Sequence, residues 1–209
     1  MKKAVSRATV DRLPLYLRAL RLAEEDGQEI ISSKELGRRL NITPEQIRKD
    51  LAFFGQFGHK GIGYFIGELK GGIENILGLN RNWRLAIIGV GNLGTALAHY
   101  KNFEPLGFEL AALFDVDEKI IGTEVNNFRV YDFGKVKSIA RRKLIDIGVI
   151  AVPELEAQYV ADELIAAGVR GLWNFAPTKL AVPPEISLVN EDLLIGLSAL
   201  SFYLVQNSE

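Results

Sequence analysis

The sequence predicts an α/β chain in three parts: a winged-helix unit over residues 1–80, a Rossmann-type doubly wound parallel sheet over 81–192, and a C-terminal dimerisation helix over 193–209, read as swapped between subunits. Three observations carry this reading. Two short, well-capped helix signatures lie one turn apart between residues 32 and 54. The string Gly89-Val90-Gly91-Asn92-Leu93-Gly94 follows an apolar run and opens a helix. Beyond it, strand-like and helical segments alternate, the pattern of a parallel sheet with helices on its faces.

Composition narrows the chemistry. The chain has 209 residues, 48% of them hydrophobic, enough for a packed core. With no cysteine, disulfides, thiolate metal sites and cysteine nucleophiles are excluded. His59 and His99 are the two histidines, too few for a zinc site or a histidine-based triad, so no metal is expected. No apolar run approaches the ~18 residues of a membrane span, and the basic start leads into no signal-peptide core; the expected location is the cytoplasm. The net charge of -1 hides an asymmetry. Residues 1–60 carry 12 Lys/Arg against 8 Asp/Glu, a net +4, whereas residues 81–209 carry 12 against 16, a net -4. A basic front half suits a polyanionic partner.

Along the first unit, Leu13, Tyr16, Leu17 and Leu20 recur at helical spacing. Pro14 reads as the first turn of that helix, where its missing N–H costs little, and Asp26-Gly27 ends it. Ser32 and Glu35 have the spacing of a capping box for a helix to about Leu40. Thr43-Pro44 starts the next helix, with Gln46 reaching back to the cap, and this helix is expected to run to about Phe54. The layout is helix-turn-helix. Ile47, Leu51 and Phe54 point inward together, leaving Glu45, Lys49, Ala52 and Phe53 outward with Gln46 and Arg48 at the flanks. A face built on Arg48 and Lys49 suits the major groove, and a merely solvated face is the plainer reading. The glycine-punctuated segment Phe57–Phe65 reads as a β-hairpin, the wing, with His59 and Lys60 at its tip. A connecting helix over 68–78 and a boundary at Asn80-Arg81-Asn82 follow.

In the second unit, Gly89 permits a tight turn, Gly91 lets the backbone approach a pyrophosphate, and Gly94 lets helix and strand pack closely. A strand from Glu109 to Phe114 ends at Asp115, about 20 to 25 residues on, where an acid takes ribose hydroxyls and repels a 2′-phosphate. A turn residue is the bland alternative for Asp115. Further strands are expected at Ile145–Val152 and Gly171–Asn174, with a helix over Leu155–Ala167. Val152, Pro153, Asn174, Phe175 and Ala176 then stand at strand carboxyl ends, where such sheets bind ligands. From Leu193 onward the chain is apolar nearly all round, as a helix buried against a partner would be.

Nothing in this inventory supplies a dehydrogenase. About 130 residues remain after the winged helix, enough for a nucleotide fold and no substrate domain. Neither histidine lies where a proton-handling group would be needed. The nucleotide therefore reads as a signal.

Taken together, Arg48-Lys49-Asp50-Leu51, Phe54-Gly55, the Gly58–Tyr64 segment, the Gly89–Gly94 fingerprint, Phe114-Asp115-Val116-Asp117 and Asn174-Phe175-Ala176-Pro177 resemble the Rex family of redox-sensing repressors over essentially the whole chain. The resemblance implies a homodimer on a palindromic DNA operator, with NAD(H) as ligand and NADH as the effector that releases it. It implies DNA contacts from Arg48 and Lys49, joined by Thr43, Gln46, Phe53, His59, Lys60, Gly61 and Tyr64. The cofactor set is Gly89, Val90, Gly91, Asn92, Leu93, Gly94 and Asp115, with Val152, Pro153, Asn174, Phe175 and Ala176. It further implies a switch in which Asp192 of the partner subunit pairs with Tyr100 in one state and Arg18 in the other. Residues 52 and 53 depart from the family, being Ala and Phe where relatives commonly carry Ser and Tyr. Three alternatives stay open from sequence: a small NAD-dependent oxidoreductase, a repressor sensing another nucleotide such as coenzyme A, and an architectural DNA-binding protein.

Overall fold

The computed structural model describes residues 5–206, which divide into two compact units, the chain passing from one to the other between Arg81 and Asn82. The last three residues of the expected C-terminal segment lie outside the described residues.

The first unit opens with helix α1, Arg7–Glu25. Its N-cap is Ser6, whose Oγ accepts from the Thr9 N–H at 3.2 Å. Pro14 therefore sits inside the helix rather than in its first turn, a correction to the sequence reading. Val10 and Pro14 both lie on the exposed face, so the Val10 carbonyl that proline leaves without a donor is not sealed in the core. Strand β1, Ile30–Ile31, leads into α2, Ser33–Leu40, capped by Ser32. Only half of the capping box forms: Ser32 Oγ accepts from the Glu35 N–H, while the Glu35 carboxylate accepts from Gln28 and Arg39. Asn41 turns the chain in a left-handed conformation. A Cβ at Gly37 would stand 2.3 Å from the Ile42 carbonyl oxygen, which is why glycine occupies this close crossing.

Helix α3, Pro44–Ala52, is capped by Thr43 and buries Ile47 and Leu51. It ends two residues before the expected Phe54. Strand β2, Tyr64–Phe65, pairs antiparallel with β1, and α4, Ile66–Leu77, completes the unit. The expected hairpin over 57–65 does not form as a ribbon. His59 and Gly63 make one antiparallel bridge around a tight turn. Glycine at 58, 61 and 63 removes the side chains that cross-strand pairs are built from. Leu13, Tyr16, Leu17 and Leu20 of α1 pack with Leu36, Ile47, Leu51, Leu69 and Ile73 in one core.

The second unit is a seven-stranded sheet. Its strands are β3 Trp83–Ile88, β4 Phe108–Asp115, β5 Glu124–Val125, β6 Phe128–Asp132, β7 Ile147–Ile150, β8 Gly171–Asn174 and β9 Ser187–Asn190. The order is β5-β6-β4-β3-β7-β8-β9, parallel throughout except for the β5–β6 pair. The order reverses at β3, so a crevice opens at the carboxyl ends of β3 and β7. Alternation along the strands feeds two cores. Ala86, Ile88, Ala112, Phe114 and Ile150 face helices α6, Val136–Lys143, and α7, Glu154–Ala166. Ile87, Leu113 and Val149 face α5, Asn92–Ala98. The stretches between β4 and β7 and between β8 and residue 193 carry no clear period in sequence; they hold β5, β6, α6 and β9. The last helix, α8, Leu193–Gln206, has its large apolar side chains 53–67% exposed. Among the described residues, no helix is long and apolar enough to cross a membrane.

Candidate functional site

On the first unit, α3 and the loop 55–63 border a groove of about 530 Å³ whose lining includes Ser32, Ser33, Arg48, Ala52, Lys60 and Tyr64. Arg48 is held across its mouth: its guanidinium donates to Ser33 Oγ and to the Glu45 carboxylate, both at 2.7 Å. Lys49, Phe53, Lys60 and Gly61 are exposed. The Thr43 hydroxyl is occupied in capping, accepting from the Gln46 N–H at 3.2 Å. Tyr64 is only 7% exposed, so it forms the floor of the groove, and burial pushes its hydroxyl pKa up against the opposing charge of Arg48. His59 stands at the base of the loop instead of its tip, edge-on to Phe65 and 3.8 Å from the Glu68 carboxylate.

Gln46 does not reach back to the cap. Its amide nitrogen donates to Asp50 Oδ1 at 2.8 Å, on the inner face of α3. Asp50 is fully buried and also accepts from Arg12, Tyr16 and Thr9 of α1. Burial alone would raise its pKa, but these hydrogen bonds outweigh that cost and hold it at about 2. Burial, helped by the hydrogen bond to Asp50, drives the Tyr16 hydroxyl well above the usual phenol range. Sequence reasoning missed this cluster because it spans about 40 residues of chain; the i, i+3, i+7 spacing of Thr9, Arg12 and Tyr16 was the available signal.

On the second unit, a cavity of about 450 Å³ opens where the strand order reverses. Its lining includes Gly89, Gly91, Asp115, Val152, Pro153, Glu156 and Tyr159. Gly89 has φ +91°, and a Cβ there would meet the Ala151 carbonyl oxygen at 2.5 Å. A Cβ on Gly94 would lie 1.8 Å from the Gly89 carbonyl oxygen. Gly91, by contrast, has open space where a side chain would be, so a ligand can reach its backbone. Asp115 is both a turn residue and a cavity wall. Its Oδ2 accepts from the Val90 N–H at 2.6 Å, and its Oδ1 accepts from the Val116 and Asp117 N–H groups. Three fixed donors hold the carboxylate in one orientation at the rim. The volume and the mixture of glycine backbone, apolar wall and one fixed acid fit a nucleotide.

The remaining expected residues lie elsewhere. Asn92 is exposed and Leu93 half-buried on the first turn of α5, and Val90 is buried beside Asp115. Asn174 ends β8 and Phe175 and Ala176 follow it, all three outside this cavity's lining. The buried Asn174 amide is spent on its own turn, donating to the Ala176 and Thr178 carbonyls and to Asn190 Oδ1, while its Oδ1 accepts from the Ala176 N–H. Phe175 packs on Trp173 with centroids 4.6 Å apart. Tyr100 is 52% exposed and edge-on to Phe103; Arg18 is exposed on α1; Asp192 caps α8 through the Leu194 N–H. The lining residues Phe133, Glu156 and Tyr159 were not anticipated, although Glu156 and Tyr159 stand one turn apart on the helix after β7.

A helix-turn-helix unit joined to a doubly wound nucleotide-type unit defines a class, the transcription regulators that combine DNA reading and small-molecule sensing in one chain. Comparison with known proteins specifies it further. Residues 4–52 match the family "Putative DNA-binding protein N-terminus", and residues 80–178 match "CoA binding domain". The chain is 44% identical to the redox-sensing transcriptional repressor Rex of Chloroflexus aggregans, over 96% of its own length and 94% of that protein. It is equally identical to that of Clostridium beijerinckii, over 99% and 98%. The solved repressor RSP in complex with β-NAD+ and operator DNA superposes with a TM-score of 0.93 at 40% identity, covering 99% of this chain and 95% of that one. RSP in complex with β-NADH superposes with a TM-score of 0.91 at 38% identity, covering 99% and 97%. The chain belongs to the Rex family of redox-sensing transcriptional repressors. It is a regulator and not an enzyme.

Proposed function

We propose that this chain binds palindromic operator DNA as a homodimer in the cytoplasm, senses the NADH/NAD+ ratio, and leaves the operator when NADH is bound. Residues 1–80 read DNA, 81–192 hold NAD(H), and 193–209 join the subunits. One observation carries the reading: the crevice between Gly91 and the fixed Asp115 carboxylate stands in the same chain as a helix-turn-helix bearing Arg48 and Lys49. The solved relatives hold β-NAD+ with operator DNA and β-NADH.

In this reading Arg48, Lys49 and Lys60 neutralise phosphates and reach base edges, with Thr43, Gln46, Phe53, His59, Gly61 and Tyr64 shaping the surface. Gly89, Val90, Gly91, Asn92, Leu93 and Gly94 bring backbone to the pyrophosphate, and Asp115 takes the ribose hydroxyls and repels a 2′-phosphate. Val152 and Pro153 line the nicotinamide end, and Phe175 and Ala176, on the loop that Asn174 shapes, would meet the ring from beyond the cavity's present lining. The bound ring is a cation when oxidised and neutral when reduced, so an apolar surround disfavours NAD+. Arg18, Tyr100 and Asp192 then exchange partners between the two states. Association through α8 is supported by its exposed apolar residues and by the short α5, seven residues long, on one face of the sheet.

Only a difference in affinity between ligand states moves the equilibrium; about 5.5 kcal/mol would swing it from 1:99 to 99:1. The test is a gel shift on a duplex enriched from a random pool, with NADH, NAD+ and NADPH added separately. Release by NADH alone is expected. No effect of any nucleotide, or steady turnover of NADH by the purified chain, overturns the reading.

A further inference from the structure

The inner face of α3 carries a device that the DNA-reading surface does not explain. Asp50 follows Arg48 and Lys49 directly, yet its carboxylate points into the core and is wholly buried. It accepts five hydrogen bonds. Arg12 gives two, from Nε to Oδ2 at 2.6 Å and from Nη2 to Oδ1 at 2.8 Å. Tyr16 gives one to Oδ2 at 2.6 Å, and Thr9 and Gln46 give one each to Oδ1 at 3.1 and 2.8 Å. The Arg12, Tyr16 and Thr9 donors all belong to one face of α1.

From this geometry we infer that Asp50 and its partners Arg12 and Tyr16 are positioning residues for DNA recognition, fixing the rotation of α3 so that Arg48 and Lys49 meet the base edges in register. The inference rests on the DNA-reading role proposed above. A buried ion pair contributes little net stability compared with apolar residues of the same volume, because desolvation offsets its attraction. Its distinguishing property is direction. Ile47, Leu51 and Phe54 anchor α3 through apolar contacts, which resist separation but define rotation weakly. The two parallel bonds from Arg12 define it strongly, since a planar guanidinium meets a carboxylate in one plane. One residue of helix corresponds to 100° of rotation, so small turns at Asp50 swing the neighbouring Arg48 and Lys49 off their targets.

The test compares two affinities: for a duplex enriched by the wild-type chain from a random DNA pool, and for the same duplex with its bases shuffled. Tyr16→Phe keeps the buried ring and removes one donor, and Arg12→Lys keeps the charge and loses the paired bonds. Ile73→Val, in the same core but remote from the carboxylate, is the control for destabilisation alone. Both network variants are expected to bind the enriched duplex about tenfold more weakly while binding the shuffled duplex within about twofold of wild type. Ile73→Val is expected to lower the melting temperature and leave the ratio unchanged. Unchanged ratios in Tyr16→Phe and Arg12→Lys, or an equal fall in Ile73→Val, overturn the positioning role while the DNA-reading role stands. If the wild-type chain enriches no sequence, both fall together.

Discussion

The helix that carries Arg48 and Lys49 is held from behind by a buried carboxylate with side-chain donors from two helices. The Gly89–Gly94 turn is held by backbone lying against backbone, so close that a methyl group has no room. The helical unit thus buries a charge, whereas the one fully buried polar side chain among the described residues of the sheet unit is the neutral Asn174. The difference follows from shape. A convex helix resting on apolar contacts needs directional bonds to fix its rotation, while a concave crevice is fixed by closing strands and helix together and needs small residues.

That contrast can be broken most forcefully at Asp50. Asp50→Ala leaves Arg12, Tyr16 and Gln46 facing an apolar void and should cost the helical unit about 3–5 kcal/mol in urea unfolding. A loss near that of a surface substitution would mean that the donors relax to solvent. Gly94→Ala should come next, at about 1–3 kcal/mol, because backbone must move to admit the methyl group. Its effect should appear as faster amide exchange in β3 and α5, with α1 and α3 unchanged.

Acid separates the units more gently. Asp50 has its pKa lowered from 3.8 to about 2 on folding, so its contribution is complete above pH 4 and is lost as pH falls through 2. The helical unit should lose about 2 kcal/mol over that window. Asp50→Asn, already without the charge, should lack that part of the pH dependence. Smallest are the surface changes that test the division of labour. Arg48→Ala should weaken operator binding by at least about 1 kcal/mol with NADH affinity unchanged. Asp115→Ala should cost about 1 kcal/mol in NADH affinity by calorimetry, narrow the preference over NADPH, and spare DNA binding.

What the sequence disclosed was local. Ser32 and Thr43 as caps, the turn before α3, the close-packing glycines and Asp115 at the end of β4 all follow from residues within a few positions of one another or from one βαβ unit. What stayed hidden depends on distant partners. Asp50 reads as one more charge on an amphipathic helix until Thr9 and Arg12 are folded against it. Pro14 looked like a helix start because its tolerance mid-helix depends on which face meets water. The short β5 and β6, and Tyr159 and Glu156 at the cavity, have too few residues in pattern to stand out.

The three N–H groups gathered by Asp115 have a consequence for anyone seeking to retune the sensor. The same carboxylate that would discriminate between dinucleotides also staples the turn after β3 to the turn after β4. Replacing it with a neutral residue to admit a phosphorylated ribose would loosen both turns at once. A chain redesigned to answer to NADPH would need a substitute anchor for the Val90 amide before any new cation were added at the rim.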